Sequence, residues 1–379
     1  MTLVPRRVHP LDVVGLAGVG AWLGWLIAST VITGRSLSPL SPYLVAPLFA
    51  VAGVAAGRWL APRAHRWPVP AAVVGVGAAF VVGYLITPGP GKLPLRYMNA
   101  NAAAGVQLLA LAGLAALSSR PFRAAERWAR SLPHVALITA LGVVLLNRSQ
   151  AGTVVAMPVA LFAVWVSVRR SGPPRALTFL AGLVSLVGAG AAGLWLAAQP
   201  ALPARGLAAL DPVRKQLWDD AVNVWRAHPV TGGGPGSFAE NSLLALDPDT
   251  STAHSSLLQV GSELGVVGVA LFVVLLVVGL SLAVRRDRAA ALIAAAAWTA
   301  LAIHSFVDHL YEFPAVTFTA ALVLGWASGQ KSSTSPSVNR QADGAGGADA
   351  SGRVVSKGPM PRNGTGISPA DGPVRKPMA

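Results

Sequence analysis

His254 stands in AHSSLLQVGSELGVVG (Ala253–Gly268), downstream of Arg214 in VRKQLW (Val213–Trp218) and of the glycine-rich HPVTGGGPGSF (His228–Phe238). An imidazole can take a proton near neutral pH, and a guanidinium grips phosphate oxygens through a planar fork. Together they are the parts of a general base working beside a bound phosphate. Ser256 with Gln259 fits a capping box, which would start a helix there; a start near Ser251 is also compatible. Either start leaves His254 near a helix N-terminus, where the dipole favours the uncharged, proton-accepting ring. With the earlier start, His254, Leu258, Gly261, Gly265 and Gly268 share one face, and the glycines form a close packing seam. Glu263 then points nearly opposite, so it is not cast as the partner that orients the histidine. A lone loop histidine is by itself unremarkable.

The neighbouring residues have plain and chemical readings side by side. Asp211-Pro212 suits a helix start, and His228-Pro229 an end. On that helix Arg214, Trp218, Ala221 and Trp225 share a face, while Lys215, Asp219 and Arg226 lie on a solvated neighbour. Arg214, held against tryptophans, could hold a phosphate, or it could snorkel to lipid headgroups. Thr231–Gly236 is neither a P-loop nor a dinucleotide fingerprint. Gly234 and Gly236 could present backbone N–H groups to an anion, or simply make a turn. Asn99 and Asn101 (YMNANAAAG) open an apolar span, and Arg148 (LLNRSQAG) sits at a tight turn between two others. An arginine there is costly unless it meets an anion or the interface. His304, Asp308, His309 and Glu312 only loosely resemble a metal cluster, so no metal is assigned.

These residues need helices in lipid to position them. Of 379 residues 53% are hydrophobic and 12% charged, against about 25% charged in soluble domains. Ten apolar spans are expected, at about 12–33, 43–61, 68–87, 100–118, 131–147, 151–168, 176–198, 259–284, 288–307 and 311–328. The fold class is therefore all-α: a polytopic bundle over 1–328, with an outer loop at about 199–256 holding an amphipathic helix. The net charge of +15 does not indicate nucleic acid, because the arginines cluster in alternate short loops. Arg58 and Arg63, Arg169 to Arg175, and Arg285 to Arg288 share one side, with Arg6, Arg7 and the arginines between 120 and 130. The positive-inside rule makes that side cytoplasmic, with both termini, and sets His254 outside. Residues 329–379 are polar and Gly/Ser/Pro-rich and are expected to be a disordered tail. Cysteine is absent, which removes disulfides and thiolate chemistry.

In order, YMNANAAA, LNRSQAG, VRKQLW, HPVTGGGPGSF, AHSSLLQVGSELGVVG and AIHSFVDHLYEFP resemble the O-antigen ligase/polymerase family of bacterial membrane glycosyltransferases. The resemblance covers about 93–326; the first spans fit in hydropathy only. Two departures stand out: the serine follows the arginine in LNRSQAG, and Ser255 replaces the family's usual asparagine after the histidine.

The resemblance implies a GT-C-like helical bundle in the plasma membrane. It would move a glycan from a polyprenyl-diphosphate carrier to a hydroxyl on a glycan, lipid or protein. His254 would be the base, and Arg214 and Arg148 would stabilise the departing diphosphate without a metal or cofactor. Asn99, Asn101, Gly234 and Gly236 would line the substrate. A transporter or flippase of a lipid-linked or small anionic substrate is the rival class. Such proteins tend to carry ionisable groups deep within spans, whereas here most lie near span ends.

Overall fold

A computed structural model describes residues 9–63, 68–86, 95, 97–118, 131–201, 212–246 and 250–329. Among them every regular element is helical. The chain forms α1 (Pro10–Thr33), α2 (Pro42–Leu60), α3 (Pro68–Ile86), α4 (Met98–Ser118), α5 (Leu132–Leu146), α6 (Gln150–Arg169) and α7 (Arg175–Ala198). Two further helices, α8 (Pro212–Ala227) and α9 (Ser237–Asn241), precede α10 (Ser256–Ala283), α11 (Arg288–Phe306) and α12 (Pro314–Gly329). Seven of these are long and apolar enough to cross a membrane: α1, α2, α4, α6, α7, α10 and α11. The other three expected spans form shorter apolar helices, α3, α5 and α12. The last starts late because Leu310–Glu312 makes a 3-10 turn before Pro314. The protein is a multi-pass membrane protein. Asp211 and the tail beyond Gly329 lie outside the described residues, as do the basic residues at 6, 7, 66 and 120–130.

Lipid offers no partner to a bare peptide group, so helix ends and breaks must be closed by the protein itself. Asp287 accepts the amides of Ala289 and Ala290 at the start of α11 (2.9 and 3.0 Å). Gly34 ends α1 in the left-handed conformation (φ 66°). The centre of the bundle is α4, buried along nearly its whole length. Its alanines and glycines let α5, α6, α11 and α12 approach closely. A Cβ on Gly113 would meet Ala163 of α6, and one on Gly105 would meet Val143 and Val144 of α5.

The helix that follows His254 is broken. Gly265 inside α10 has φ 66° and ψ −168°, a region essentially reserved for glycine. The carbonyls freed around the break take other donors. Ser262 and Glu263 accept the amides of Gly233 and Gly234 (2.8 and 2.9 Å), and the Val266 amide donates to Pro229 (2.9 Å). The glycine loop thus completes the backbone hydrogen bonding of α10. Helix α1 secures the same join. Trp25 Nε1 donates to the Leu264 carbonyl (2.9 Å), Ser29 to that of Thr231 (3.1 Å), and Arg35 Nε to that of Gly233 (2.7 Å). Arg35 also forks onto the Glu240 carboxylate (2.7 and 2.8 Å).

Candidate functional site

Ser255, not Ser256, caps α10: its Oγ accepts the Leu258 amide at 3.4 Å. The capping-box expectation was therefore off by one residue. Ser256 instead donates both its amide and its hydroxyl to the Asp308 carbonyl (3.0 and 3.1 Å). Gln259 accepts from the Ala253 amide (2.6 Å) and donates to Glu263 (2.9 Å). These bonds tie the residues flanking His254 to the helix and to the turn after α11. His254 itself adopts a left-handed backbone (φ 48°) and is buried. Few non-glycine residues do so outside turns or functional positions.

Its side chain enters a cluster around one carboxylate. Nδ1 of His254 lies 3.1 Å from the Tyr97 hydroxyl and 3.6 Å from Asp308 Oδ1. The Tyr97 hydroxyl donates to Asp308 (3.3 and 3.4 Å), and the Asn99 amide donates to Asp308 Oδ2. His309 Nδ1 sits 2.9 Å from Asp308 Oδ1. The His309 ring stands edge-on to His254, with centroids 4.7 Å apart.

Arg214 completes the group from α8. The apolar face of that helix buries Leu217, Trp218 and Ala221, together with Phe238, Ala253 and Leu258. The Trp225 ring packs directly against Gly261. Arg214 follows this packed side, as its spacing predicts. Its guanidinium donates to the Val307 carbonyl and reaches Asp308 Oδ2 at 3.4 Å. The partners are protein groups, so the side chain does not simply snorkel. On the neighbouring face Lys215 pairs with Asp219.

Electrostatics follow from that crowding. Burial alone would push the Asp308 carboxyl up. Hydrogen bonds from His254 and His309, with the charges of His309 and Arg214, hold it well below the usual carboxylate range. Burial works against a charged His309, yet its hydrogen bond and ion pair with Asp308 and the nearby Glu312 raise its pKa overall. Burial and the Asp308 charge raise that of Tyr97, which stays protonated and able to donate. Because the folded protein favours protonated His309, that stabilisation is complete below the free-histidine range and disappears as pH rises through the raised value. Thermal stability in detergent is accordingly expected to decline as pH climbs past neutrality, and His309→Gln should flatten that decline. An unchanged slope in the variant would contradict the assignment.

The structure places the other sequence-predicted residues as follows. Asn99 holds Asp308, which is a positioning contact; it had been expected to touch substrate. Asn101 accepts from the Leu95 amide (3.3 Å) through its side chain and is buried. The Gly234 amide is committed to the Glu263 carbonyl, and the amides of Gly236 and Phe238 face the Glu263 carboxylate. The acceptors served by this loop are thus the protein's own Ser262 and Glu263. Arg148 is exposed, with a left-handed backbone (φ 53°), and has no polar side-chain partner among the described residues. Its turn is capped by Ser149 and packs against α4 beside Ala102.

Sequence reasoning missed Asp308 and Tyr97 as partners of His254. Both were in quoted motifs, HSFVDH and YMNANAAA, but nothing in either motif says that they meet. The ligand atoms of His254, Asp308 and His309 lie within 4.8 Å of one another and could hold a divalent ion. Arg214 already brings a positive charge to the same carboxylate.

No curated protein matches the chain. Residues 135–273 match the model described as O-antigen ligase, a stretch that carries Arg148, Arg214, the glycine loop and His254. Over that segment the chain is similar to the O-antigen ligase family.

Proposed function

We propose that this protein is a membrane glycosyltransferase. It would transfer a glycan from a polyprenyl-diphosphate carrier to an acceptor hydroxyl at the outer face of the plasma membrane. The observation that carries this reading is that one buried carboxylate, Asp308, holds both an imidazole and a guanidinium. Asp308 and Tyr97 engage Nδ1 of His254, which places the proton there and the lone pair on Nε2. Nε2 takes the proton of the acceptor hydroxyl as its oxygen attacks the anomeric carbon. The bond from that carbon to the diphosphate oxygen breaks, and its electron pair leaves with the polyprenyl diphosphate. Arg214, with Arg148 as a second cation at the same end of the bundle, stabilises the developing charge. A single displacement of this kind inverts the anomeric centre. Surface polysaccharide ligation and repeat-unit polymerisation share this chemistry.

The orientation rests on the far end of α10. Arg58 and Arg285 gather there on Asp12, while Arg175 donates to the carbonyls of Arg285 and Arg286. With those arginines in the cytoplasm, His254 faces outward.

Arg214→Gln is the test. In vesicles containing the purified protein, a lipid-linked donor and an acceptor, it should weaken donor capture about tenfold or more, the worth of a charge-assisted contact. Unimpaired capture and turnover would remove Arg214 from the site. Transfer is also expected to continue in EDTA, with Arg214 and Arg148 supplying the positive charge. Loss of activity that a divalent ion restores would reassign His254, Asp308 and His309 as ligands.

A further inference from the structure

Helix α10 has a second cluster at its other end. Beyond the break at Gly265 its arm runs unbroken to Ala283, about 27 Å at 1.5 Å per residue, close to the thickness of a bilayer's hydrocarbon core. Beyond its C-terminus, Arg285 meets Asp12 of α1 at 3.0 Å, and Arg58 of α2 meets the same oxygen at 2.5 Å. Two guanidinium groups therefore share one carboxylate, and a positive charge is left over. Arg58 Nε reaches Ser328 Oγ (3.2 Å). Arg285 Nε is buried with no hydrogen-bond partner among the described residues, and its side chain is only 10% exposed. A buried guanidinium nitrogen without an acceptor is an unmet demand for an anionic oxygen.

From this basic end a cavity of about 390 Å³ runs between α1, α2, α10 and α11 toward Tyr43 and Tyr311. Its walls are carbon almost throughout, for example Gly15, Val19, Ala46, Ala50 and Leu275. Small side chains on α1 and α2 keep the cleft open, and its lining runs along α2 from Tyr43 to Arg58, about 22 Å of helix, the length of a fatty acyl chain.

A carbon-walled cleft that ends at Arg58 and Asp12, with Arg285 on the same carboxylate, fits one chemistry. We propose that it binds a single anionic phospholipid, with its phosphate between Arg58 and Arg285 and one acyl chain lying along α2 and α10. Simple snorkelling to bulk headgroups needs neither the cleft nor the buried Nε. A polyprenyl donor with its diphosphate beside Arg214 would enter from the tyrosine end and would make no use of the two arginines. The arginine end of the cleft lies at the opposite end of α10 from His254.

The test is native mass spectrometry of the full chain, delipidated and titrated with phosphatidylglycerol or with phosphatidylcholine of the same acyl chains. The wild type should retain phosphatidylglycerol about tenfold better. Arg58→Gln and Arg285→Gln should each remove most of that preference, and Ala50→Trp should block both lipids by filling the cleft. Asp12→Asn should act in the opposite direction and strengthen phosphatidylglycerol retention severalfold, since it removes the competing carboxylate; a misfolded variant could not do this. Arg63→Gln, whose guanidinium lies over Trp59, should change nothing. Equal retention of the two lipids, a loss with Asp12→Asn, or a loss with Arg63→Gln equal to that with Arg58→Gln would overturn the proposal. So would a cleft filled by a polyprenyl phosphate whose retention ignores Arg58 and Arg285.

Discussion

Glycan transfer by His254→Ala is expected to fall by about 10²–10⁴-fold, the usual worth of a positioned general base, while the lipid-linked donor still binds. Asp308→Asn keeps the shape of the side chain but removes the charge that gathers His254, His309 and Arg214. It should cost a comparable factor, because the imidazole loses the partner that sets its tautomer. The sharper expectation is the double variant. Residues that act as one unit are strongly non-additive, so His254→Ala with Asp308→Asn should be no slower than the worse single change. Multiplying losses would mean that Asp308 acts elsewhere, for instance only through Arg214. Retained transfer by His254→Ala would move the protein to the transporter class and end the base assignment.

Gly265→Ala should give the largest loss of stability. A side chain there meets the Val230 carbonyl and the Gly232 amide, in a backbone region that costs a non-glycine residue about 1–3 kcal/mol before any clash. Relief would require the glycine loop to leave α10, freeing the carbonyls of Ser262 and Glu263. The detergent melting midpoint should fall by roughly 5 °C or more, with transfer falling in step because the loop is built on that join. Gly20→Ala is the matching control: a Cβ there meets nothing within 4 Å, and its midpoint should not move. Equal behaviour of the two variants would mean that the break in α10 is incidental.

The helices were readable in the sequence because a lipid-embedded helix announces itself through an unbroken apolar run. The helix ends were less so. The box at Ser256 and Gln259 was a sound local signal, but Gln259 had a stronger alternative in the Ala253 amide, a tertiary contact that spacing does not encode. His254 and Arg214 stand out as candidates from type and periodicity. Asp308 does not, because its distance from His254 is set by how α11 packs against α4 and α10. The glycine loop was misread for a related reason. Its amides resemble an anion cradle, and only the break at Gly265 reveals which acceptors they serve.

The bonds from α1 bear on any attempt to cut this molecule down to a minimal working piece. Residues 135–273 contain the histidine but lack Trp25, which holds α10 at Leu264, Ser29 and Arg35, which pin the glycine loop, and Asp308, which holds the imidazole. Such a fragment would keep the sequence signature without the scaffold that aligns it. Chimaeras that exchange the segment between relatives should therefore import the first helix and the turn after α11 from the same parent.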